Sequence, residues 1–367
     1  MQKIPVYQPS LNGNEKKYVI DCMDSTWISS KGKYISEFER KFAEYIEVKH
    51  ASSVSNGTVA IHLALLALGI TKGDEVIVPT LTFIASVNAI RYTGATPVFI
   101  DCEENYWQMD PEQIEKLITP KTKAIMPVHL YGAVCDMESI IKIARKHNLF
   151  VVEDCAEAIG SKFGDKKVGS FGDISAFSFF GNKTITTGEG GMVLTNDHTL
   201  YERCVHLKGQ GLAKYRQYWH DIVGYNYRMT NICAAIGLAQ LENVEFIIAK
   251  KRQVADWYKE YLSKNKNIEI HKEQNDTFHT YWMVSILVNE PDIRDPLRDF
   301  LEKAGIETRP LFYPVHTMPM YCEKYQRFKN AEFLGWRGIN LPSYPDLTKE
   351  QVKYICENIE AYFLGKR

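Results

Sequence analysis

From about residue 50 to residue 200, short apolar runs alternate with amphipathic stretches, the pattern of a mainly parallel sheet covered by helices. The runs Val76–Val78, Val98–Ile100, Ala124–Met126, Phe150–Val152, Ile174–Phe177 and Met192–Leu194 are expected as strands. Several end in a turn-forming or polar residue: Pro79 after the first, Asp101 after the second, Glu153 and Asp154 after the fourth. Ligands of open α/β sheets gather beyond the carboxyl ends of the strands, so these ends are where chemistry is sought. Phe38, Phe42, Tyr45 and Ile46 recur at helical spacing, as do Val59, Leu63, Leu66 and Ala67 after the loop Ser55–Thr58, which predicts two helices packed on the core. Ile247, Ile248, Val254, Trp257, Tyr258 and Tyr261 predict another helix over 245–262. Beyond it the pattern changes to a strand-like run, Tyr281–Leu287, and a helix from Ile293 to Ala304. A large domain over 1–250 and a smaller α+β domain over 251–367 are therefore expected.

Composition narrows the class of protein. The 367 residues are 45% hydrophobic and 24% charged, a globular profile with enough apolar content for a sizeable core. Lys and Arg total 44 against 45 Asp and Glu, so there is no global pull toward nucleic acid or an anionic membrane. The eight cysteines are scattered, without a C-x-x-C pair or a histidine at metal-ligand spacing, so reduced thiols and no metal site are expected. Met1–Pro5 has no apolar signal region and no stretch approaches the length of a membrane span, which places the protein in the cytoplasm as an expectation.

The most informative segment runs from Ser178 to Gly191, with Lys183 after a core strand and before a glycine-rich turn. A partly buried lysine there suits a Schiff-base nucleophile, since burial favours the free amine; the alternative is a lysine that snorkels to the surface. Asp154, at the end of a buried strand, needs a cationic or hydrogen-bonding partner, such as a pyridinium nitrogen, or else caps a helix over 156–159. Ser55-Asn56-Gly57-Thr58 opens a helix whose free N–H groups suit a phosphate, with Thr58 and Ser178 as hydroxyl donors; an ordinary helix cap is the plainer reading. Arg228 suits a carboxylate or phosphate, or an intersubunit salt bridge, and His129 reads as a packed loop residue. Trp27 and Tyr313 are candidate walls of a substrate cleft, or core aromatics.

Taken in order, Ser55–Thr58, Pro79–Phe83, Glu153–Glu157, Ser178–Gly191, Gly224–Arg228 and Thr308–Pro310 closely resemble the DegT/DnrJ/EryC1/StrS family of pyridoxal-phosphate sugar aminotransferases, over nearly the whole chain. The resemblance implies an α/β protein of aspartate aminotransferase fold type I. It makes Lys183 the Schiff-base lysine and Asp154 the partner of the pyridinium nitrogen. Phe83 and Ala156 would flank the ring, Gly57, Thr58 and Ser178 would hold the phosphate, and Asn226 would reach it from a second subunit. Glu157 falls beside the cofactor where many relatives carry Gln or His, with no role assigned. His316 resembles a sugar-nucleotide contact. Trp27 and Ser29 in Trp27–Gly32, Phe179–Lys183 and Tyr313–His316 narrow the expected substrates to L-glutamate and a nucleotide-linked 4-keto-6-deoxyhexose, GDP-4-keto-6-deoxymannose foremost, for O-antigen synthesis. Pyridoxamine phosphate is then the intermediate form of the cofactor, and a homodimer with shared sites, or a tetramer, is implied. A sugar 3-dehydratase of the same family is disfavoured because those enzymes have histidine in place of Lys183. A non-catalytic regulator is disfavoured by the presence of both Lys183 and Asp154, with no added DNA-binding domain.

Overall fold

The computed structural model describes residues 3–365; Met1 and Gln2 of the N-terminal segment lie outside the described residues. Two helices, α1 (Glu15–Asp24) and α2 (Lys33–Ile46), lead into the alternating region. There β1 (His50–Val54), α3 (Gly57–Ala67), β2 (Glu75–Pro79), α4 (Ile84–Tyr92), β3 (Thr96–Ile100), α5 (Ile114–Leu117), β4 (Thr122–Ile125), α6 (Met137–His147) and β5 (Phe150–Asp154) follow one another. A hairpin of β6 (Lys162–Phe163) and β7 (Lys166–Lys167) precedes β8 (Ile174–Ser178), β9 (Gly191–Thr195), α7 (His198–Lys208), α8 (Asn231–Glu242) and α9 (Val244–Leu262). The remainder is β10 (Ile268–Ile270), β11 (Thr277–Phe278), β12 (Val284–Val288), α10 (Pro291–Lys303), β13 (Arg309–Pro310), α11 (Lys329–Arg337), β14 (Gly338–Leu341) and α12 (Lys349–Leu364).

Seven strands form the central sheet in the order β1-β9-β8-β5-β4-β2-β3. From β3 to β8 all neighbours pair parallel, and β9 runs antiparallel to both β8 and β1. Successive side chains along a strand point to opposite faces. Ile77, Ile125, Val151 and Phe177 accordingly enter one apolar layer with Phe38 and Phe42 of α2, while Val76, Val78, Ala124, Val152 and Ala176 enter the other with Leu63 and Leu65 of α3. Helices therefore cover both faces, which is the α/β class and fold expected from the sequence.

A second sheet, β10-β12-β14-β13, organises the C-terminal part around Tyr258, Ile286, Ile339 and Ile355. The residue-250 position falls inside α9: Val244, Ile247 and Ile248 pack on the large core, Val254, Ala255, Tyr258 and Leu262 on the smaller one. Ile4 crosses back to join that smaller core and bridges to Ile306. Only the second half of the run Tyr281–Leu287 is strand, because β12 begins at Val284. Tyr281 turns at φ 49, where its N–H donates to Nδ1 of His279 at 2.9 Å, and Trp282 and Met283 are thereby carried to the cavity described below. No single helix among the described residues is long and apolar enough to cross a membrane; α8 and α9 pass that test only as a pair bent by 64°.

Candidate active site

Five local features converge at the carboxyl edge of the central sheet, on a cavity of about 590 Å³. First, β5 ends on Asp154, which lines the cavity and is 5% exposed. Its Oδ2 accepts from Ser86 Oγ at 2.7 Å and its Oδ1 from the Ala156 N–H at 3.1 Å. The chain from 155 to 159 makes turns, not a helix over 156–159 that Asp154 could cap. No Lys, Arg or His forms a salt bridge with Asp154 among the described residues, and burial raises its carboxyl above the usual range. A buried acid held by two hydrogen bonds and no ion pair is suited to receive a cation in the cavity.

Second, the turn after β8 carries Lys183 into the cavity, 9% exposed. Its Nζ donates to Glu157 Oε1 at 3.1 Å and stands 4.0 Å from the centre of the Trp282 ring. The turn itself is fastened from outside: Tyr7 OH donates to the Lys183 carbonyl at 2.5 Å and the Trp282 indole N–H to the Asn182 carbonyl at 2.6 Å. Third, Glu157 is buried, and its Oε2 accepts from the Tyr131 N–H at 2.9 Å.

Fourth, α3 begins at Gly57, with Asn56 Oδ1 capping the Val59 N–H at 2.9 Å. A Cβ on Gly57 would come within 2.6 Å of the Ser178 Cβ, so only glycine lets this helix N-terminus and the end of β8 close into a cradle. Thr58 and Ser178 line the same corner. Free N–H groups at a helix start, with a hydroxyl on either side, suit a phosphate. Fifth, Phe83 and Ala156 line the cavity too, Phe83 with its ring 5.4 Å from that of Phe312.

The other sequence candidates lie elsewhere. Asn226 and Arg228 are exposed, bridging Gly209 and Val54 through the backbone, and neither lines the cavity of its own chain. Trp27 and Ser29 are exposed too, their carbonyls accepting from Nδ2 and N–H of Asn231. Tyr313 accepts from Arg294 Nη2 at 3.1 Å. His316 is buried with both ring nitrogens engaged, Nδ1 by Thr80 Oγ1 at 2.7 Å and Nε2 by Glu332 Oε1 at 3.1 Å. His129, Glu153 and Cys155 cluster beneath the site, yet Glu153 already accepts from the N–H groups of Gly169, Phe171 and Gly172. The Cys135 N–H points at Nδ1 of His129, leaving Nε2–H to donate to Glu153; this is a closed internal network.

Sequence reasoning missed Ser86, Trp282, Tyr131 and Tyr7. Ser86 carried a faint signal, a small polar residue between apolar positions of α4. Trp282 was hidden in a run read as strand, and Tyr7 and Tyr131 are tied to the site only by contacts far apart in sequence.

An amine and an acid that share a buried cavity, with a phosphate-sized cradle at a helix N-terminus, define a pyridoxal-phosphate enzyme of the aspartate aminotransferase fold, and the residues fit that cofactor. The chain belongs to the DegT/DnrJ/EryC1/StrS aminotransferase family, whose pattern matches residues 9–360. It is 67% identical to the GDP-perosamine synthase of Escherichia coli O157:H7 across 100% of both chains, and 54% identical to that of Vibrio cholerae across 98% of this chain and 99% of the other. Among solved structures, the PLP form of the putative sugar aminotransferase Spr1654 from Streptococcus pneumoniae superposes with a TM-score of 0.93 at 28% identity, covering 98% of each chain. The chain is a pyridoxal-phosphate-dependent sugar aminotransferase.

Proposed function

We propose that this enzyme moves the amino group of L-glutamate to the 4-keto group of a nucleotide-linked 6-deoxyhexose, converting GDP-4-keto-6-deoxymannose to GDP-perosamine, with 2-oxoglutarate as the second product. The observation that carries the reading is the presence of Lys183 and a buried Asp154 that forms no salt bridge among the described residues, together in one cavity. The GDP-sugar is supported by the two relatives of that name, similar over nearly their full length.

Pyridoxal phosphate supplies an electron-poor ring that can hold the electrons of a bond broken beside its nitrogen. Asp154 keeps the ring nitrogen protonated, which its buried position makes mutually favourable. Gly57, Thr58 and Ser178 would hold the phosphate, and Phe83 and Ala156 would flank the ring. The amine of Lys183 would hold the cofactor and, when free, would move the proton at the donor and acceptor carbons. Glu157 is a contact of the same lysine.

The active unit in this reading is a homodimer, or a tetramer built from it. Asn226 and Arg228, exposed and outside the lining of their own cavity, serve that of a second copy, Asn226 at the phosphate and Arg228 at the substrate. Exposed apolar groups nearby, Tyr215, Tyr218, Trp219 and Val223, give such a contact its apolar area. Trp27, Ser29 and Tyr313 line no part of their own chain's cavity and in this reading meet the sugar nucleotide only where a second copy completes the site, while His316, with both ring nitrogens engaged, acts as a brace through Thr80 and Glu332. A cytoplasmic setting suits eight free cysteines, six of them buried.

The test is mass spectrometry of GDP-4-keto-6-deoxymannose incubated with the protein, pyridoxal phosphate and L-glutamate. Replacement of the ketone by an amine, in step with 2-oxoglutarate, is expected. An untouched sugar beside conversion of the cofactor to its amine would refute the substrate while leaving the aminotransferase in place.

A further inference from the structure

The two buried carboxylates of the cavity are wired differently. Asp154 is held by Ser86 and the Ala156 N–H and makes no salt bridge. Glu157 takes the ammonium of Lys183, and its second oxygen is fixed by the Tyr131 N–H. That N–H is aimed by a strained residue: Tyr131 stands at φ 57 and ψ 13, a left-handed conformation that costs a bulky side chain free energy. The surroundings enforce it. Its ring lies against those of Trp282 and Phe312, and its hydroxyl accepts from the Phe312 N–H at 2.8 Å. Strain held in place by packing, and spent on orienting one carboxylate at one lysine, is a feature of a functional contact.

An ammonium has no lone pair, so Lys183 must lose a proton before its nitrogen can bond to a carbonyl carbon. We propose that Glu157 is the base that discharges Lys183: Oε1 takes a proton from Nζ, ammonium and carboxylate become amine and carboxylic acid, and the freed lone pair bonds to the cofactor's aldehyde carbon. Atoms balance as follows: the C=N bond forms, the aldehyde oxygen leaves as water with the two remaining Nζ hydrogens, and Glu157 keeps the third. The reverse steps return the proton when Lys183 is released. The inference rests on Lys183 being the cofactor lysine.

Burial pushes the Glu157 carboxyl up, while the charge of Lys183 and the Tyr131 N–H pull it down. Burial thus makes the Glu157 carboxylate a better proton acceptor than an exposed one. The titratable and charged groups facing this pair are Asp154 from β5, the Tyr131 phenol, and Arg309 and Glu189 across the cavity. Only Glu157 is within hydrogen-bond distance of Nζ among the described carboxylates.

The experiment strips the cofactor and follows its return by stopped-flow absorbance from pH 6 to 9, in the wild type, Glu157→Gln and Glu157→Asp. Circular dichroism and Tm confirm the fold of each. The ratio of wild-type to variant rates cancels the titration of free pyridoxal phosphate. In Glu157→Gln, association at pH 7 is expected to be at least tenfold slower, with the deficit closing as pH rises and bulk base takes over; Glu157→Asp, keeping a carboxylate one methylene back, recovers part of the rate. Association in Glu157→Gln that is within twofold of wild type, or faster, overturns the proposal, since a carboxylate that merely holds the ammonium would give that result. A wild-type protein that takes up no cofactor overturns the reading of Lys183 instead.

Discussion

Replacing Lys251 by methionine should stabilise the protein at neutral pH, by an amount that shrinks as the pH rises. Lys251 sits on α9, 1% exposed. Its Nζ donates to the Ser343 carbonyl at 2.6 Å and lies 5.1 Å from the centre of the Tyr7 ring, and it forms no salt bridge among the described residues. Burial without a counter-ion pushes the amine down from 10.5 to about 7. The folded-state value is below the unfolded one, so between them the unfolded chain binds more protons and stability rises with pH. A fall of this size, at about 1.4 kcal/mol per pH unit, costs the native state about 4 kcal/mol at pH 7 and about 2 kcal/mol at pH 9. Methionine removes that cost at similar volume and leaves the Ser343 carbonyl without its donor, a loss of about 1–3 kcal/mol. The net expectation is a gain of about 1–3 kcal/mol at pH 7, falling by about 2 kcal/mol at pH 9. Urea unfolding of both proteins at pH 7, 8 and 9 reads this directly. A difference between them that stays constant over the three pH values would refute the argument, because it would mean that Lys251 titrates normally.

Asp154→Asn is expected to leave the cofactor-free protein at least as stable, since burial already opposes the charge, while weakening pyridoxal phosphate by about 2–4 kcal/mol; Tm with and without cofactor measures both, and an undiminished cofactor-induced rise in Tm would contradict the ring-nitrogen pairing. Gly57→Ala forces a methyl into the Ser178 side chain, so cofactor affinity should drop at least tenfold with little change in circular dichroism; an affinity kept within twofold would mean that the cradle is not the phosphate site. His271 and His279 are buried and neutral, with His271 lowered to about 4 by burial and His279 depressed by burial and then by its neighbours' charge. The unfolded values near 6.5 are higher, so stability is complete above that pH and is lost as the pH falls, with about 3 kcal/mol gone for His271 by pH 4. A flatter acid limb of Tm against pH is therefore expected in His271→Gln, and superimposable limbs would count against it.

The central sheet could be read from the sequence because strands buried on both faces appear as bare apolar runs. β1 could not: Ser52 and Ser53 give it a polar appearance, and it becomes a buried strand by pairing with β9, while Ser53 satisfies Glu39 and Lys208. Lys183, Asp154 and Gly57 could be placed in one crevice because each follows or precedes a recognisable element. The contacts that complete the site span large separations, with Ser86 68 positions from Asp154 and Tyr7 176 from Lys183, and no local pattern encodes them. Glu157 was visible as an unusual residue, but its partner was not. A carboxylate beside a cofactor reads as repulsion until the lysine is seen to occupy one of its oxygens.

These long-range contacts have a common direction. Tyr7 holds the carbonyl of Lys183, Trp282 holds that of Asn182, and Phe312 holds the hydroxyl of Tyr131, which in turn fixes Glu157. All three come from the N-terminal segment or the C-terminal part, not from the sheet that carries the lysine. The large unit therefore supplies the reacting groups, and the rest of the chain supplies the restraint that keeps a glycine-rich turn from wandering. Lys251 belongs to this second set: its amine lies over the ring of Tyr7 and grips the Ser343 carbonyl, whose own N–H donates to the Val6 carbonyl. A buried lysine that costs the fold stability is thus packed against the residue that fastens the lysine of the site. The stability gained in Lys251→Met should consequently come with a looser Lys183 turn, seen as faster loss of cofactor on dialysis.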